Sequence, residues 1–453
     1  MKCSSINITE VRSMAKRLDA PVHLSDGVMA NRLIESSPYG YMTIGDVSSR
    51  IWHAGRWKRV YVNKRENGII LLGSSAILKS NLEDEKLISR KYTDDIEDKR
   101  LKKGWILISC SGTIGNCAFT NAQHAEKLAS QDVIRINPNN ILRPGIIYAY
   151  LASKYGYSML TQGTFGSVIQ HIEPENVKAI LIPKFPETFQ EKVDDLIQES
   201  AKLREEAASL LKEAQDLIMN EINISLSKKV FGKVSINDII TSYKLRFEAN
   251  FHISEGADIE KFLLSNFNCK TLGDLCTSIS RPDIFKRYYV SHGITFLGGA
   301  DIFLATPNSD KQLSKKKTEN INNLLIEEGT ILLPRSGTIG NVAWAHAGHA
   351  QKLASEHVIR LKPNDILRGG YLFAFLSTSI GRSLIQKHIF GSVIQHVEAP
   401  HLSLIPIPVL DDKIILHTHE NVMTYGKNMG EAIKKESQAI SLIEQEIECW
   451  SKN

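Results

Sequence analysis

The sequence predicts a mixed α/β fold: two homologous α/β domains, separated and followed by long α-helices that pair as an antiparallel coiled coil, the whole pseudo-twofold. Three observations predict it. Ser111-Gly112-Thr113-Ile114-Gly115-Asn116 recurs from Ser336 to Asn341, and Phe165-Gly166-Ser167-Val168-Ile169-Gln170-His171 recurs from Phe390 to His396, both at an offset of 225 (111 to 336, 165 to 390). Within each copy, short β-branched runs bounded by Gly, Pro, Asn and Asp alternate with helical stretches. After each copy comes a long stretch with helical spacing of its apolar residues. A period this long means duplicated domains rather than a solenoid.

Between the anchors the copies stay in step. Lys127-Leu128-Ala129-Ser130 matches Lys352 to Ser355, Val133-Ile134-Arg135 matches Val358 to Arg360, and Ile141-Leu142-Arg143 matches Ile366 to Arg368. Upstream the match is looser: Arg17-Leu18-Asp19-Ala20 echoes Arg246 to Ala249, and Thr43-Ile44-Gly45-Asp46 echoes Thr271 to Asp274, so small length changes sit in loops. Trp105 to Ile108, Val133 to Ile136 and Ile180 to Pro183 read as strands. Ile146 to Leu151 and Tyr371 to Leu376 read as helices.

From Thr188 to about Ile222 there is no Gly or Pro, and Val193, Leu196, Ser200, Leu203, Ala207, Leu210, Ala214 and Leu217 form a heptad seam. The C-terminal seam runs through Met429, Glu436, Ile440, Ile443, Ile447 and Trp450, with Gly426 and Gly430 expected to interrupt its first half. The seam residues expected to hold the helices together are Leu196, Leu203, Leu210, Leu217, Ile440, Ile443 and Ile447. The segmentation is a first domain over 1–187, a central helix over 188–230, a second domain over 231–411 and a terminal helix over 412–453. A helix of about 35 residues is roughly 50 Å long, so the pair would act as a spacer.

With 453 residues, 42% hydrophobic and 23% charged, each half can bury its own core. The net charge of +5 permits nucleic-acid binding without requiring it. No apolar export segment opens the chain, and none of its runs approaches the roughly 20 apolar residues of a membrane span. A cytoplasmic location is expected. The pairs Cys110/Cys117 and Cys269/Cys276 share a spacing, but the first pair falls at Arg335 and Val342 in the second copy. No metal site is therefore expected, with the thiols reduced. No catalytic residue is expected either, since the acidic clusters such as Glu83-Asp84-Glu85 have no partner in the second copy.

The order of domain, long helix, related domain, long helix resembles the specificity subunit of type I restriction-modification systems. The Ser111–Gly115 turn and its copy are similar to that family's Gly-Thr-Ile-Gly element. Gly166-Ser167 with Gln170-His171-Ile172, then Leu181-Ile182-Pro183 and the helix start near Phe189-Gln190-Glu191, resemble the exit from a recognition domain. The resemblance implies two target-recognition domains in a non-catalytic reader of double-stranded DNA with a bipartite, asymmetric target. It implies two DNA methyltransferase subunits as partners, with restriction/translocase subunits joining them. It places S-adenosylmethionine, ATP and Mg²⁺ on those partners, with no cofactor in this chain.

Candidate DNA contacts follow from residue chemistry. Trp52, Arg56, Trp57, Lys58 and Arg59 form a basic-aromatic cluster, and Arg281, Lys286, Arg287 and Tyr288 occupy the same place in the second copy; such residues neutralise phosphates and read guanine edges. The glycine turn is either a tight turn needing positive φ or one that also lays its amides, or Ser111, Thr113, Ser336 and Thr338, against a phosphate. Positions that differ inside matched scaffolding are candidates for base reading: Cys110 against Arg335, and Gln131-Asp132 against Glu356-His357. The competing readings are a DNA-modifying enzyme such as a nuclease and a purely structural scaffold. The chain has no Pro-Pro, so the amino-methyltransferase motif is absent.

Overall fold

A computed structural model describes Ile8 and residues 25–162, 171–224 and 231–450. The first copy of the Phe165–Gln170 motif and the Arg17–Ala20 echo lie outside the described residues. Packing divides the chain into two units, Met1–Glu205 with Glu431–Asn453, and Glu206–Gly430. Each unit is built in the same way.

In the first unit a four-stranded antiparallel sheet has the order Ser48–Trp52, Val133–Pro138, Ile106–Ser109, Cys117–Phe119. The central strand Ile106–Ser109 is buried throughout because both faces of the sheet are covered there, and the period of two sorts the side chains. Ile106, Ile108, Ile134 and Ile136 pack with the helix Pro144–Ala152, which is buried nearly all round. Leu107 and Val133 face the other way, onto Leu72, Leu82 and Leu101 beneath a smaller sheet ordered Tyr61–Val62, Leu87–Ser89, Gly68–Leu72, Leu128–Ala129. A two-stranded ribbon, Tyr41–Thr43 with Leu181–Pro183, closes the domain.

The second unit repeats this arrangement. Its sheet runs Cys276–Ser280, Val358–Pro363, Ile331–Pro334, Ala343–Trp344. Ile331, Leu333, Ile359 and Leu361 face the helix Gly369–Ser377, while Leu332 and Val358 face Leu297, Ile302 and Ile326. Arg135 and Arg360 hold equivalent buried places. Arg135 donates to the carbonyls of Val133 and Ala129, Arg360 to those of Asn323, Leu324 and Ala354, and burial pulls both guanidinium pKa values down to about 10.

The long helices are Glu187–Ile222 and Asp412–Trp450. Residues of both enter each unit: 187–205 and 431–450 the first, 206–222 and 412–430 the second. In the second unit Glu206 meets Asn428 and Glu213 meets His417, so the chain directions oppose. The expected glycine interruption does not occur. A Cβ on Gly426 would lie 2.9 Å from Trp344 Nε1 and one on Gly430 3.1 Å from Ala347 Cβ, so these glycines let the helix lie close on its domain.

Half of the expected central seam, Val193, Ser200, Ala207 and Ala214, is buried, but its leucines are not the centre of the buried stripe. Val193, Ile197, Ser200, Ala201, Ala207, Ala214, Ile218 and Ile222 are buried, whereas Leu196, Leu203, Leu210, Leu217 and Ile440 are only half-buried; Ile443 and Ile447 are buried as expected. Each helix covers a domain surface besides its partner, which widens the buried face to Ile197, Ala201, Ile218 and Ile222. Small residues at its centre allow close approach, and Ser200 Oγ donates to the Ala432 carbonyl at 2.8 Å.

Candidate nucleic-acid interface

Antiparallel pairing brings sequence-distant segments to one end of each sheet. In the first unit Trp52 pairs with Arg135 and Ser109 with Val133, so the residues just beyond, His53, Cys110-Ser111 and Gln131-Asp132, share that end. In the second unit Ser280 pairs with Arg360 and Pro334 with Val358, which places Arg281, Arg335-Ser336 and Glu356-His357 equivalently. The positions that differ between the copies therefore gather at one place, beside the glycine turns.

Those turns require glycine for backbone reasons. Gly112 and Gly115 have φ of +76° and +83°, Gly337 and Gly340 +82° and +107°. A Cβ on Gly112 or Gly337 would meet nothing, so only the left-handed conformation excludes other residues there. Thr113 and Thr338 are exposed at the tips, and Ser111 and Ser336 are half-buried at the base. Ser109 Oγ lies 3.0 Å from Thr113 Oγ1, which ties the first turn to its strand. In the second unit the Phe390–His396 segment closes through a Phe390–His396 bridge, with Val393 93% exposed beside Gly337.

An arginine is tethered at this end in both units. Arg59 Nη2 donates to Gln131 Oε1 and lies 3.8 Å from the Asp132 carboxylate, its guanidinium 5.3 Å from the Trp57 ring. Arg287 Nη2 donates to Glu356 Oε1 at 2.5 Å, and its guanidinium lies 5.3 Å from the Phe296 ring. Burial works against the Arg287 charge, but the Tyr289 hydroxyl and the Glu356 carboxylate raise its pKa. Burial likewise would raise the Glu356 carboxyl, yet a backbone hydrogen bond and Arg287 hold it below the usual value. Glu356 is 6% exposed, whereas His357 is exposed beside it.

The Cys110/Arg335 difference belongs to a second ion pair that sequence reasoning missed. Glu398 accepts from Arg335 at 2.9 and 2.6 Å and from Arg281 at 3.3 Å. Burial would raise its pKa, but Arg335 and then Arg281 keep it lowered. At the equivalent place Glu173 meets His53 at 3.3 Å, and Cys110 stands where Arg335 would be, its thiol pushed up to about 12 by burial and then by the charge of Asp132. The available signal was Glu173 and Glu398 falling at the same offset of 225 as the anchors (173 to 398).

The remaining candidates divide. Trp52 is in the core, its Nε1 donating to the Asp98 carbonyl and its ring edge-on to Trp105 at 5.1 Å, which removes it from the surface. The strand ends one residue later than a surface reading needs. Arg56 and Lys58 are exposed and Trp57 is half-buried between Arg59 and Lys99. Lys286 is exposed, and Tyr288 lies between Lys286 and Lys317, which joins the Lys315–Lys317 run to this surface. Among the described residues no group of three or more His, Cys, Asp or Glu is arranged to hold a metal ion, and no helix is long and apolar enough to cross a membrane.

The model of the type I restriction modification DNA specificity domain matches residues 37–198 and 265–434. The chain belongs to that family. Among solved structures it is similar to the S subunit of a type I restriction-modification system from M. genitalium, at 14% identity over 90% of this chain and 94% of that one, with a TM-score of 0.34. It is also similar to the HsdS subunit from Thermoanaerobacter tengcongensis, at 14% identity over 91% and 99%, TM-score 0.29. A third match, from work on complex assembly and conformational transition of the type I system, has 14% identity over 92% and 97%, TM-score 0.28. No curated protein matches.

Proposed function

We propose that this chain reads a bipartite, asymmetric DNA target, one half-site per unit, and scaffolds two methyltransferase subunits together with restriction/translocase subunits. The observation that carries this reading is the convergence just described: the positions differing between the copies sit with arginines, lysines and an exposed glycine turn at one end of two equivalent sheets. Residues that hold the fold stay the same while the polar groups of this face, which either meet a base or aim a side chain that does, change. Arg56, Lys58, Lys286 and the Lys315–Lys317 run supply phosphate contacts, and Thr113 and Thr338 at the turn tips supply hydroxyls. In this reading the chain is not an enzyme and holds no cofactor; S-adenosylmethionine, ATP and Mg²⁺ serve the partner subunits in the cytoplasm.

Methylation mapping of cells carrying this chain with its methyltransferase tests the proposal. Two short, different words separated by an unread gap of fixed length are expected. A chain in which residues 246–411 are replaced by residues 17–186 should methylate a target built from two copies of the first word. A continuous target, or a second word that survives the replacement, would refute it.

A further inference from the structure

Two differences between the copies offset each other around the tethered arginines. Going from Gln131 to Glu356 adds a carboxylate, and going from Asp132 to His357 removes one. Each arginine keeps one acidic neighbour, but the coupling differs: Glu356 bonds Arg287 directly at 2.5 Å, whereas an amide holds Arg59 and the Asp132 carboxylate stands 3.8 Å away. Glu356 is itself fixed, buried to 6% exposure with Ser355 Oγ 3.2 Å from its carboxylate. An almost fully buried carboxylate has no edge to offer a base. The arginine above it is a third exposed and does.

The chemistry of the guanidinium makes the tether consequential. The contacts of Arg59 to Gln131 and Asp132 both run through Nη2, as does that of Arg287 to Glu356. Each tether takes one of the two Nη2 hydrogens and so decides which donor edge can face a ligand; in Arg287 the Tyr289 hydroxyl also bonds the guanidinium and helps to fix it. A forked edge matches the O6 and N7 acceptors of guanine in the major groove. The aromatic ring under each guanidinium fixes its plane.

Resting on the reading of this sheet end as the DNA face, we propose that Arg59 and Arg287 each read one guanine, and that Gln131 and Glu356 are positioning residues that aim them rather than base readers. Each word then contains one G·C pair whose recognition depends on a residue that never touches DNA. The first unit holds its arginine through a neutral amide and the second through a carboxylate, so the two readers tolerate substitution differently.

The test uses the chain with its methyltransferase in cells, with methylomes read for Arg287→Ala, Glu356→Gln and the double variant Glu356→Gln/His357→Asp, which rebuilds the arrangement of the first unit. Arg287→Ala should abolish preference at one G·C pair of the second word. Glu356→Gln should lower preference at that same pair about tenfold and leave the first word intact, and the double variant should recover it. If Glu356→Gln leaves both words unchanged while Arg287→Ala alters the second, the positioning role is wrong and the DNA face stands. A change at a different base pair would make Glu356 a reader and overturn the inference. If Arg287→Ala changes neither word, the assignment of the DNA face itself fails. Should Glu356→Gln unfold its unit, Gln131→Glu carries the same test at the pair read by Arg59, with the second word as the internal control.

Discussion

One polar cluster of the first unit has an apolar counterpart in the second, which makes a sharp test of what holds the helices to the domains. Tyr148 donates to Glu436, and Glu436 is ion-paired with Arg204, so a domain helix and both long helices meet at one carboxylate. At an offset of 225 the same three places hold Phe373, Leu211 and Met429 (148 to 373, 211 to 436, 204 to 429), packed in the core of the second unit. The side chains of Arg204 and Glu436 are 17% and 11% exposed, so water screens little of the pair. Breaking a buried pair by removing one partner costs about 3–5 kcal/mol, while replacing it whole by apolar groups of similar volume is often neutral or stabilising. Glu436→Leu should therefore destabilise the first unit by about 3 kcal/mol, the low end because some exposure remains. That is a fall of roughly 6–12 °C in its melting temperature for a unit of this size. The triple variant Tyr148→Phe/Arg204→Met/Glu436→Leu should return within about 1 kcal/mol of the native chain or exceed it. Calorimetry, with hydrogen exchange over residues 187–205 and 431–450 to assign the transition, measures both. A triple variant as unstable as Glu436→Leu, or a single variant as stable as the native chain, would refute the reasoning.

Two further predictions concern packing and acidity. Gly370 lies under the second long helix, and a Cβ there would stand 2.8 to 2.9 Å from His419 Nδ1, Cα and carbonyl oxygen; Gly370→Ala should cost about 1–3 kcal/mol in urea unfolding, and an unchanged midpoint would mean the helix can move off its domain. His124 and His349 are buried at equivalent places, and burial holds both pKa values down to about 4, from an ordinary 6.5. Their neutral forms belong to the folded state, so their contribution is complete above about pH 6.5 and is lost as pH falls toward 4, while the unfolded chain takes up protons. The loss is up to about 3 kcal/mol for each. His349→Asn should flatten the pH dependence of the second unit between pH 6.5 and 4, and an undiminished slope would assign acid sensitivity elsewhere.

Much of the architecture is written locally in the chain. The duplication, the strands at Ile106–Ser109 and Val133–Pro138, the helix at Pro144–Ala152 and the two long helices follow from periodicity, β-branching and the placement of Gly and Pro, which act over a few residues. The glycine turns were legible for the same reason: a positive φ is a property of one residue. Gln131-Asp132 and Glu356-His357 were legible as places of difference, but their roles were not. Whether a carboxylate reads a base or aims an arginine depends on which side chain the fold sets above it, and Arg287 is 69 residues from Glu356 in sequence. Trp52 looked like a surface aromatic because its neighbours are basic, and only the packing of Trp105, just before the strand Ile106–Ser109, put it in the core. The seam leucines were chosen from a two-helix repeat, whereas each helix also lies on a domain, and the sum of those two surfaces kept Ala207 and Ala214 of the seam buried but added Ile197 and Ile218 and left the leucines half-buried. Sequence determines what a segment prefers by itself; burial, ion pairing and the edge a side chain presents are set by partners far along the chain, and only tertiary contact chooses those.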